Sequence, residues 1–492
     1  MIVYFLTPYI IDKIGVDLYG LWALVLAITG ILGLLDFGLA TAAVKWVAEL
    51  TGANDVEGRN RILSTLLSIY IVLGTVAMCI AGAIAIRPDA PFLANYIESP
   101  DQAAILAVLI GITVALGFQL SLFRAALAGS GCMHFANAVE IGMTIISALL
   151  SVYFLSSGFG VIGLAAALVI SVLLGLLGMM TLAYWRLDRL HLGLRFEGWR
   201  ETRALLAFSS WVFIANVAVH LILRTDPIII KAYLPLSAVA VYAIAAKIAE
   251  YTLLFNKQFS NALMPLVSQA HGRGSVGTVR NVLTNGTRYL LALALPMLAL
   301  AAFHAENFLL LWLGQEFLGA VTTVQILLAA VACMVVQLNA SNVLGMTGRH
   351  RFVSLSMGAS ALLNLVLTIV LLPKYGLLGA GIATLIASAI FDLGTILPTA
   401  CRHVDIKLVD FARYVFTPCL LPLVPTLAVA WSLDRLFPAQ SVAILFLQAV
   451  VAGLVFIGTF FYVGLNSDER NVIVTQVTSR RASSAAVEGG LA

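Results

Sequence analysis

The residues of this chain that are best suited to chemistry are charged side chains within long apolar stretches. In the stretch 237–264, Lys247, Glu250, Lys257 and Asn261 follow one another at intervals of three, seven and four residues. At about 100° per residue, these four side chains lie on one face of a helix. The lysines could attract an anion, and the glutamate could bind a coupling proton or Na⁺. The alternative is structural: Lys247 and Glu250 pair at i,i+3, and Lys257 extends toward water.

A second polar group lies in the preceding apolar stretch and consists of His220, Arg224, Asp226 and Pro227. His220 and Arg224 share a helix face at i,i+4, whereas Asp226 points elsewhere. Pro227 removes a backbone hydrogen bond, so we expect it to kink the helix beside the two charges. The group therefore indicates a hinge or a binding site, unless Arg224 only pairs with a carboxylate of a neighbouring helix, Asp226 among the options.

Three further charges, Asp36, Arg124 and Asp392, lie near predicted helix ends, where anchoring at the membrane interface is the simpler explanation. Charges inside a membrane are costly and mark functional sites by default, so we expect the whole set to include the lining of a cavity. The candidates for binding an anionic substrate are Arg224, Lys247, Arg124 and Lys257. The candidates for ion pairing or for a coupling ion are Asp226, Glu250, Asp36 and Asp392. Six of these eight charges fall in the part of the chain after residue 204 and two before it, so we expect function to be asymmetric.

The composition places these charges in a membrane. Of the 492 residues, 61% are hydrophobic and only 11% are Asp, Glu, Lys or Arg, whereas a soluble domain has about 25% charged residues. A single soluble domain is therefore excluded. The sequence contains no nucleotide-binding G-x-x-x-x-G-K-[ST] loop, no H-E-x-x-H and no G-x-S-x-G, and its five cysteines lack metal-site spacing. We expect no cofactor, no enzyme activity and no nucleic-acid partner.

The apolar stretches predict an all-α, polytopic membrane protein, because open sheets cannot span lipid. The predicted spans are 18–40, 62–86, 103–128, 138–156, 161–183, 208–234, 237–264, 286–304, 320–345, 353–372, 377–400, 414–433 and 440–466. The apolar residues Met1–Ile11 precede them and are too short to cross a bilayer alone, so we expect them to be the end of an incomplete first span. The predicted count is about 14. A helix at residues 40–50 should lie at the interface.

The basic residues predict the orientation. When alternate connections are assigned to opposite sides, 20 Lys and Arg residues fall on one side and 5 on the other, and three lie inside spans. The basic side of a membrane protein faces the cytoplasm, so both termini should be cytoplasmic.

An internal repeat predicts two lobes. Residues 153–171 match residues 369–387 at an offset of 216, which places Gly160 on Gly376. LAGSGCMHF, ending at Phe135, matches LGMTGRHRF, ending at Phe352, at an offset larger by one residue. Six spans separate equivalent points, so the copies are parallel repeats that could open a central cavity to one side at a time. The predicted parts are an N-terminal lobe at 1–184, a basic cytoplasmic linker at 185–204, a C-terminal lobe at 205–401, two additional helices at 402–466 and a disordered cytoplasmic tail at 467–492.

Two segments carry a family resemblance. They are TPYIIDKIGVDLYGLWALVLAITGILGLLDFGLATAAVKWVAEL at residues 7–50 and LRTDPIIIKAYLPLSAVAVYAIAAKIAE at residues 223–250. These segments resemble the openings of the two lobes in bacterial polysaccharide flippases of the O-antigen type. Those flippases belong to the multidrug/oligosaccharidyl-lipid/polysaccharide exporter superfamily.

The resemblance implies two six-helix lobes, two extra helices and movement of undecaprenyl-pyrophosphate-linked oligosaccharide across the bacterial inner membrane, toward lipopolysaccharide or exopolysaccharide. It also implies a cationic lumen, to which Arg224, Lys247 and Arg124 could contribute here. Membrane lipids and other polysaccharide-assembly proteins would be further partners. The alternatives are a drug exporter of the same superfamily coupled to H⁺ or Na⁺ and, ranked lower, a membrane-embedded polysaccharide polymerase.

Overall fold

A computed structural model of the chain describes residues 2–86, 100–194, 217, 224–273, 275–471 and 475. All regular secondary structure in these ranges is helical, and eleven helical segments are long and apolar enough to cross a membrane. The chain is therefore an all-α, multi-pass membrane protein, as predicted. The count of 14 spans stays a prediction.

The helices are numbered along the chain. They are α1 (Ile2–Leu32), α2 (Leu39–Gly52), α3 (Val56–Ile86), α4 (Pro100–Gly129), α5 (Met133–Ser156), α6 (Gly160–Arg186), α7 (Asp226–Tyr233), α8 (Leu236–Gly272), α9 (Val276–Phe303), α10 (Ala305–Leu313), α11 (Val321–Leu344), α12 (His350–Tyr375), α13 (Leu377–Ser388), α14 (Leu397–His403), α15 (Leu408–Leu420), α16 (Leu423–Leu436) and α17 (Val442–Val463). Short 3₁₀ segments cover Gly33–Asp36 and Gln315–Ala320, and π-helical segments cover Gly345–Arg349 and Ala389–Ile396.

Helix α1 consists of two arms that meet at Gly15. Gly15 has φ 80°, a left-handed conformation that glycine adopts without steric cost. The first arm packs against α5, and residues of the second arm, such as Val25, pack against α4 and α6. The predicted span 18–40 is too long at its C-terminal end, because Phe37 and Gly38 turn the chain with positive φ before α2 begins. Helix α2 confirms the predicted helix at 40–50.

The described chain divides into two compact units. One comprises Met1–Ile244 with Ser354–Ala383, and the other comprises Ala245–Val353 with Thr384–Ala492. In the first unit, the core lies between α2, α3, α4 and α6, where the buried Tyr70 ring stacks on Phe118 at a centroid distance of 5.8 Å. The predicted lobe boundary falls partly in residues outside the described ranges, so the lobe limits stay predictions.

Backbone conformation supports the internal repeat. Gly131 and Gly348 have φ of 78° and 86°, and Gly160 and Gly376 have φ of 54° and 58°. A third pair, Arg189 and Asp405, lies 216 residues apart beyond the matched segments, with φ of 52° and 58°. Non-glycine residues rarely adopt positive φ. Positive-φ turns therefore recur at these positions, and the two-lobe repeat stays a prediction.

A cluster of side chains anchors the residues that follow α17. Arg288 on α9 is 1% exposed and donates a hydrogen bond to the carboxylate of Glu469. The Tyr289 hydroxyl donates to the same oxygen at 2.6 Å, and the Asn466 N–H donates to the other at 2.8 Å. The Arg288 guanidinium also lies 4.8 Å from the centre of the Tyr414 ring. Burial alone would raise the pKa of Glu469, but these hydrogen bonds and the Arg288 charge hold that pKa below its usual range.

Glu469→Gln should lower the free energy of unfolding by roughly 2 to 3 kcal/mol, because it leaves the buried Arg288 charge without its counterion. The effect depends on pH with a defined sign. A carboxylate whose pKa is lowered by folding stabilises the protein above its unfolded pKa and loses that contribution as the pH falls through the folded value. The measurement is the apparent melting temperature of the detergent-purified protein between pH 7 and pH 3.

The control for this experiment is Glu316→Gln, since Glu316 is exposed. Wild type and control should lose stability in parallel as the pH falls, and Glu469→Gln should start lower and lose less. Equal melting temperatures for all three proteins at pH 7 would show that the cluster does not stabilise the fold.

Candidate functional site

Asp226 is a buried carboxylate of the first unit. It is 2% exposed, and its oxygens accept hydrogen bonds from the Tyr242 hydroxyl and, at 3.4 Å, from the Thr368 hydroxyl. Helices α7, α8 and α12 thus contribute one residue each to a small polar site in apolar surroundings. Hydroxyl groups can donate to a carboxylate or accept from a carboxylic acid, so this site suits a group that exchanges a proton or binds a cation.

The kink expected at Pro227 stays a prediction, because residues 218–223 lie outside the described ranges; in the described part, Thr225 forms a bend immediately before α7. Asp226 and Pro227 form the first turn of α7, and the N–H groups of Ile228 and Ile229 bond back to the carbonyl of Thr225. Proline is tolerated in the first turn of a helix, because the N–H it lacks would have no partner there. His220 lies outside the described residues.

Glycines of α1 position the residues around Arg224 and Asp226. A Cβ atom built on Gly20 would lie 2.1 Å from the carbonyl oxygen of Leu236, at the start of α8. A Cβ atom built on Gly30 would lie 3.3 Å from the aliphatic stem of Arg224. Helix α1 therefore contacts α8 through its backbone, and the Arg224 side chain lies across α1.

Two predicted candidates in the first unit have partners that help to position helices. The Nε atom of Arg124 on α4 lies 2.5 Å from a carboxylate oxygen of Glu140 on α5, and both side chains are partly exposed. Asp36 accepts a hydrogen bond from the buried Tyr70 hydroxyl. The Ala40 N–H, near the start of α2, lies 3.3 Å from both carboxylate oxygens of Asp36 and donates to them. Their roles in binding stay predictions, and each has a structural role as well.

In the second unit, α8 carries Lys247, Glu250 and Lys257, as predicted. Lys247 and Glu250 are half-buried, whereas Lys257 is exposed. The same helix has a buried polar face that the sequence reasoning missed, where Ser260 accepts a hydrogen bond of 2.9 Å from Asn342 on α11. Asparagine and serine within apolar stretches were the signal that could have revealed this contact. A cavity lined jointly by these lysines and by Arg224 stays a prediction.

Asp392 lies in the π-helical segment that follows α13, in the second unit. It is 6% exposed and accepts a hydrogen bond from Ser388. This burial argues against anchoring at the aqueous interface, the simpler of its two explanations. π-Helical segments are rare and frequently lie at functional sites, so Asp392 remains a candidate for ion coupling.

The second unit also contains an apolar groove with a volume of about 670 Å³. It lies between α8, α9, α10 and α17, and its lining includes Pro296, Met297, Leu300, His304, Ala449 and Gly453. His304 is 4% exposed, and neither ring nitrogen has a hydrogen-bond partner among the described residues. The imidazole therefore places two hydrogen-bonding nitrogens at an otherwise apolar site.

The described residues contain no group of three or more His, Cys, Asp and Glu side chains that could hold a metal ion. All five cysteines are free, and Cys401 and Cys419 are buried.

Gly20→Ala should lower the free energy of unfolding by about 1 to 3 kcal/mol or abolish folding, because α1 and α8 must separate to admit the new methyl group. The matched control is Gly82→Ala in α3, where no atom lies within 4 Å of the ideal Cβ position. The measurement is the yield of monodisperse protein in detergent and its melting temperature. Equal behaviour of the two variants would contradict the close approach of α1 to α8.

Comparison with known proteins agrees with this architecture. The model of the family described as "Polysaccharide biosynthesis protein" matches residues 14–322. The probable low-salt glycan biosynthesis flippase Agl15 of Haloferax volcanii is 22% identical over 77% of this chain and 75% of its own length. A Shigella flexneri protein assigned as an O-antigen transporter is 21% identical over 75% of this chain and 87% of its own length.

Solved structures share the fold. The lipid II flippase MurJ in an inward closed conformation superposes with a TM-score of 0.75 and 15% identity, over 94% of this chain and 97% of that one. An inward-facing multidrug resistance MATE family transporter of the MOP superfamily superposes with a TM-score of 0.65 and 16% identity, over 82% of this chain and 95% of that one. Since the family model covers more than half of the sequence, the chain belongs to the polysaccharide biosynthesis protein family.

Proposed function

We propose that this protein is a flippase that moves an undecaprenyl-pyrophosphate-linked oligosaccharide from the cytoplasmic to the periplasmic leaflet of the bacterial inner membrane by alternating access. Such a cargo has a long apolar chain and an anionic, sugar-bearing head. The observation that carries the proposal is the apolar groove on α8, α9, α10 and α17, because a small hydrophilic solute would have no use for it.

The groove suits the isoprenoid chain of the cargo. Its volume of about 670 Å³ lies within the range of ligand pockets, roughly 300–1,000 Å³. Lipid tails are as apolar as leucine side chains, so moving an isoprenoid from bilayer to groove gains little hydrophobic free energy. The groove would therefore orient the chain through shape, and most of the affinity would come from the charged head.

The pyrophosphate would be attracted by Arg224 and Lys247. Two opposite unit charges 4 Å apart attract by about 4 kcal/mol at an effective dielectric constant of 20. Two cations would therefore bind an anionic head in preference to a neutral one. Arg124, which pairs with Glu140, and the exposed Lys257 are the other two predicted candidates.

Asp226 would couple transport to a proton or to Na⁺. Its carboxylate is buried, and hydroxyl groups of two other helices hydrogen-bond to it. Gain or loss of a charge at such a site changes the free energy of packing α7 against α8 and α12. Ion binding would in this way change the relative stability of two transporter conformations.

The cationic part of the proposal is tested with the double variant Arg224→Ala, Lys247→Ala. Surface polysaccharide should fall at least tenfold while the protein still inserts, since the anionic head loses both counter-charges. Gel analysis of extracted polysaccharide measures export, and immunoblotting of membranes measures insertion. Normal export in the double variant would overturn the cationic model.

Two controls separate charge from structure in that experiment. Arg224→Lys with Lys247→Arg keeps both charges and should retain most of the export. Lys13→Ala with Lys374→Ala removes two exposed cations elsewhere and should leave export unchanged.

The groove is tested with Gly453→Phe, which places a ring in the groove. Gly458→Phe is the matched control on the same helix, because both glycines have open space at the ideal Cβ position but only Gly453 lines the groove. Flipping of a lipid-linked oligosaccharide in proteoliposomes should fall several-fold for Gly453→Phe only. Equal rates for the two variants would exclude the groove from cargo binding, and ion-driven drug efflux without lipid flipping would favour a drug exporter.

A further inference from the structure

A second concave site lies in the second unit, at the junction of α9, α14 and α15. Its volume is about 690 Å³. Three basic side chains line it: Arg280 in the first turns of α9, Arg402 in the last turn of α14, and Lys407 immediately before α15. We call these three residues with the first turn of α15 the basic pocket.

The chain turn between α14 and α15 holds two of these cations in place. Asp405 adopts φ 58°, and its neighbours Val404 and Ile406 are 2% and 8% exposed. The Ile406 N–H donates to the carbonyl of Cys401 at 2.9 Å. Because both flanking side chains are buried, the turn cannot rotate freely, and the exposed Arg402 and Lys407 stay at its surface.

The charges of the basic pocket are not neutralised by ion pairs. Among the described residues, Arg280, Arg402 and Lys407 form no ion pair, although the carboxylates of Asp405 and Asp410 also line the pocket. Helix α15 has 13 residues and no side-chain cap at its start. Its first N–H groups therefore add partial positive charge at this end of the helix.

The surface beside the basic pocket is apolar. Leu408 and Val409 at the start of α15 are 42% and 76% exposed, whereas Phe411, Val415 and Cys419 on its other face are buried. The pocket also lies at the ends of predicted spans, on the side where Lys and Arg are concentrated. Positive charge next to exposed apolar residues at a span end matches a lipid whose head is anionic and whose tails lie in the bilayer.

We propose that the basic pocket binds the phosphodiester headgroup of an anionic membrane phospholipid, with its acyl chains along Leu408 and Val409. This lipid is not the transported cargo, so the site goes beyond the proposed function. Three cations and two carboxylates leave one net positive charge, which matches a singly charged headgroup. Asp405 and Asp410 would accept hydrogen bonds from hydroxyl groups of the head, which favours phosphatidylglycerol over phosphatidate.

The test compares lipid binding of the purified full-length protein with that of a variant carrying Arg280→Ala, Arg402→Ala and Lys407→Ala. Native mass spectrometry and thermal shift are recorded with phosphatidylglycerol and with phosphatidylcholine of the same chain length. Wild type should retain phosphatidylglycerol preferentially and melt at a higher temperature in its presence. The variant should bind it roughly a hundredfold more weakly, since each basic residue near anionic lipid contributes about 1 kcal/mol.

The matched control carries Lys45→Ala, Arg273→Ala and Arg349→Ala, which removes three exposed cations on the same predicted side. It should bind phosphatidylglycerol like wild type. If the triple pocket variant does not fold, the single change Arg402→Glu, at an exposed position, takes its place and should reduce binding at least tenfold.

Equal stabilisation of wild type by both lipids, or full binding by the pocket variants, would overturn the proposal. Stabilisation by soluble glycerol phosphate as strong as that by the lipid would also overturn it, in favour of a soluble phosphate ligand.

Discussion

The structure depends on one constraint, the cost of a polar group without a partner in hydrocarbon. Backbone N–H and C=O groups satisfy this constraint within helices, and for this reason the regular structure of the described chain is helical. Side-chain charges must satisfy it through tertiary contacts. Asp226 with the Tyr242 and Thr368 hydroxyls, Arg288 with Glu469, and Arg124 with Glu140 are three solutions to the same problem. Each one also joins separate helices, so the rare charges contribute to the architecture.

Where these helices bend or approach closely, glycine or a local change of helix type is present. Gly15 joins the two arms of α1 at positive φ, Gly20 brings α1 against the backbone of α8, and a π-helical segment carries Asp392. Positive-φ turns also recur at the positions that the predicted repeat matches, Gly131/Gly348 and Gly160/Gly376, and at the pair Arg189/Asp405 beyond the matched segments.

The second unit contains two candidate binding sites. We propose that its apolar groove, which includes His304, holds an isoprenoid chain and that its basic pocket holds the head of a surrounding phospholipid. Because a lipid chain gains little free energy by leaving the bilayer for a protein groove, both sites would derive their selectivity from shape and from charge. A transporter of lipid-linked cargo has to distinguish its substrate from the abundant bilayer lipids, and separate sites for the two would serve that purpose.

The sequence by itself determined the membrane class and most helix positions. These depend on composition and on short-range periodicity, both of which are local. Only the tertiary structure decided which partner each charge meets and that Asp392 is buried. It also showed that Pro227 begins a helix and that α9, α14 and α15 form a basic pocket. Arg288 and Glu469 are 181 residues apart, and no local pattern relates them. The cost of an unpartnered charge requires that a partner exist, but only the folded chain shows where it lies.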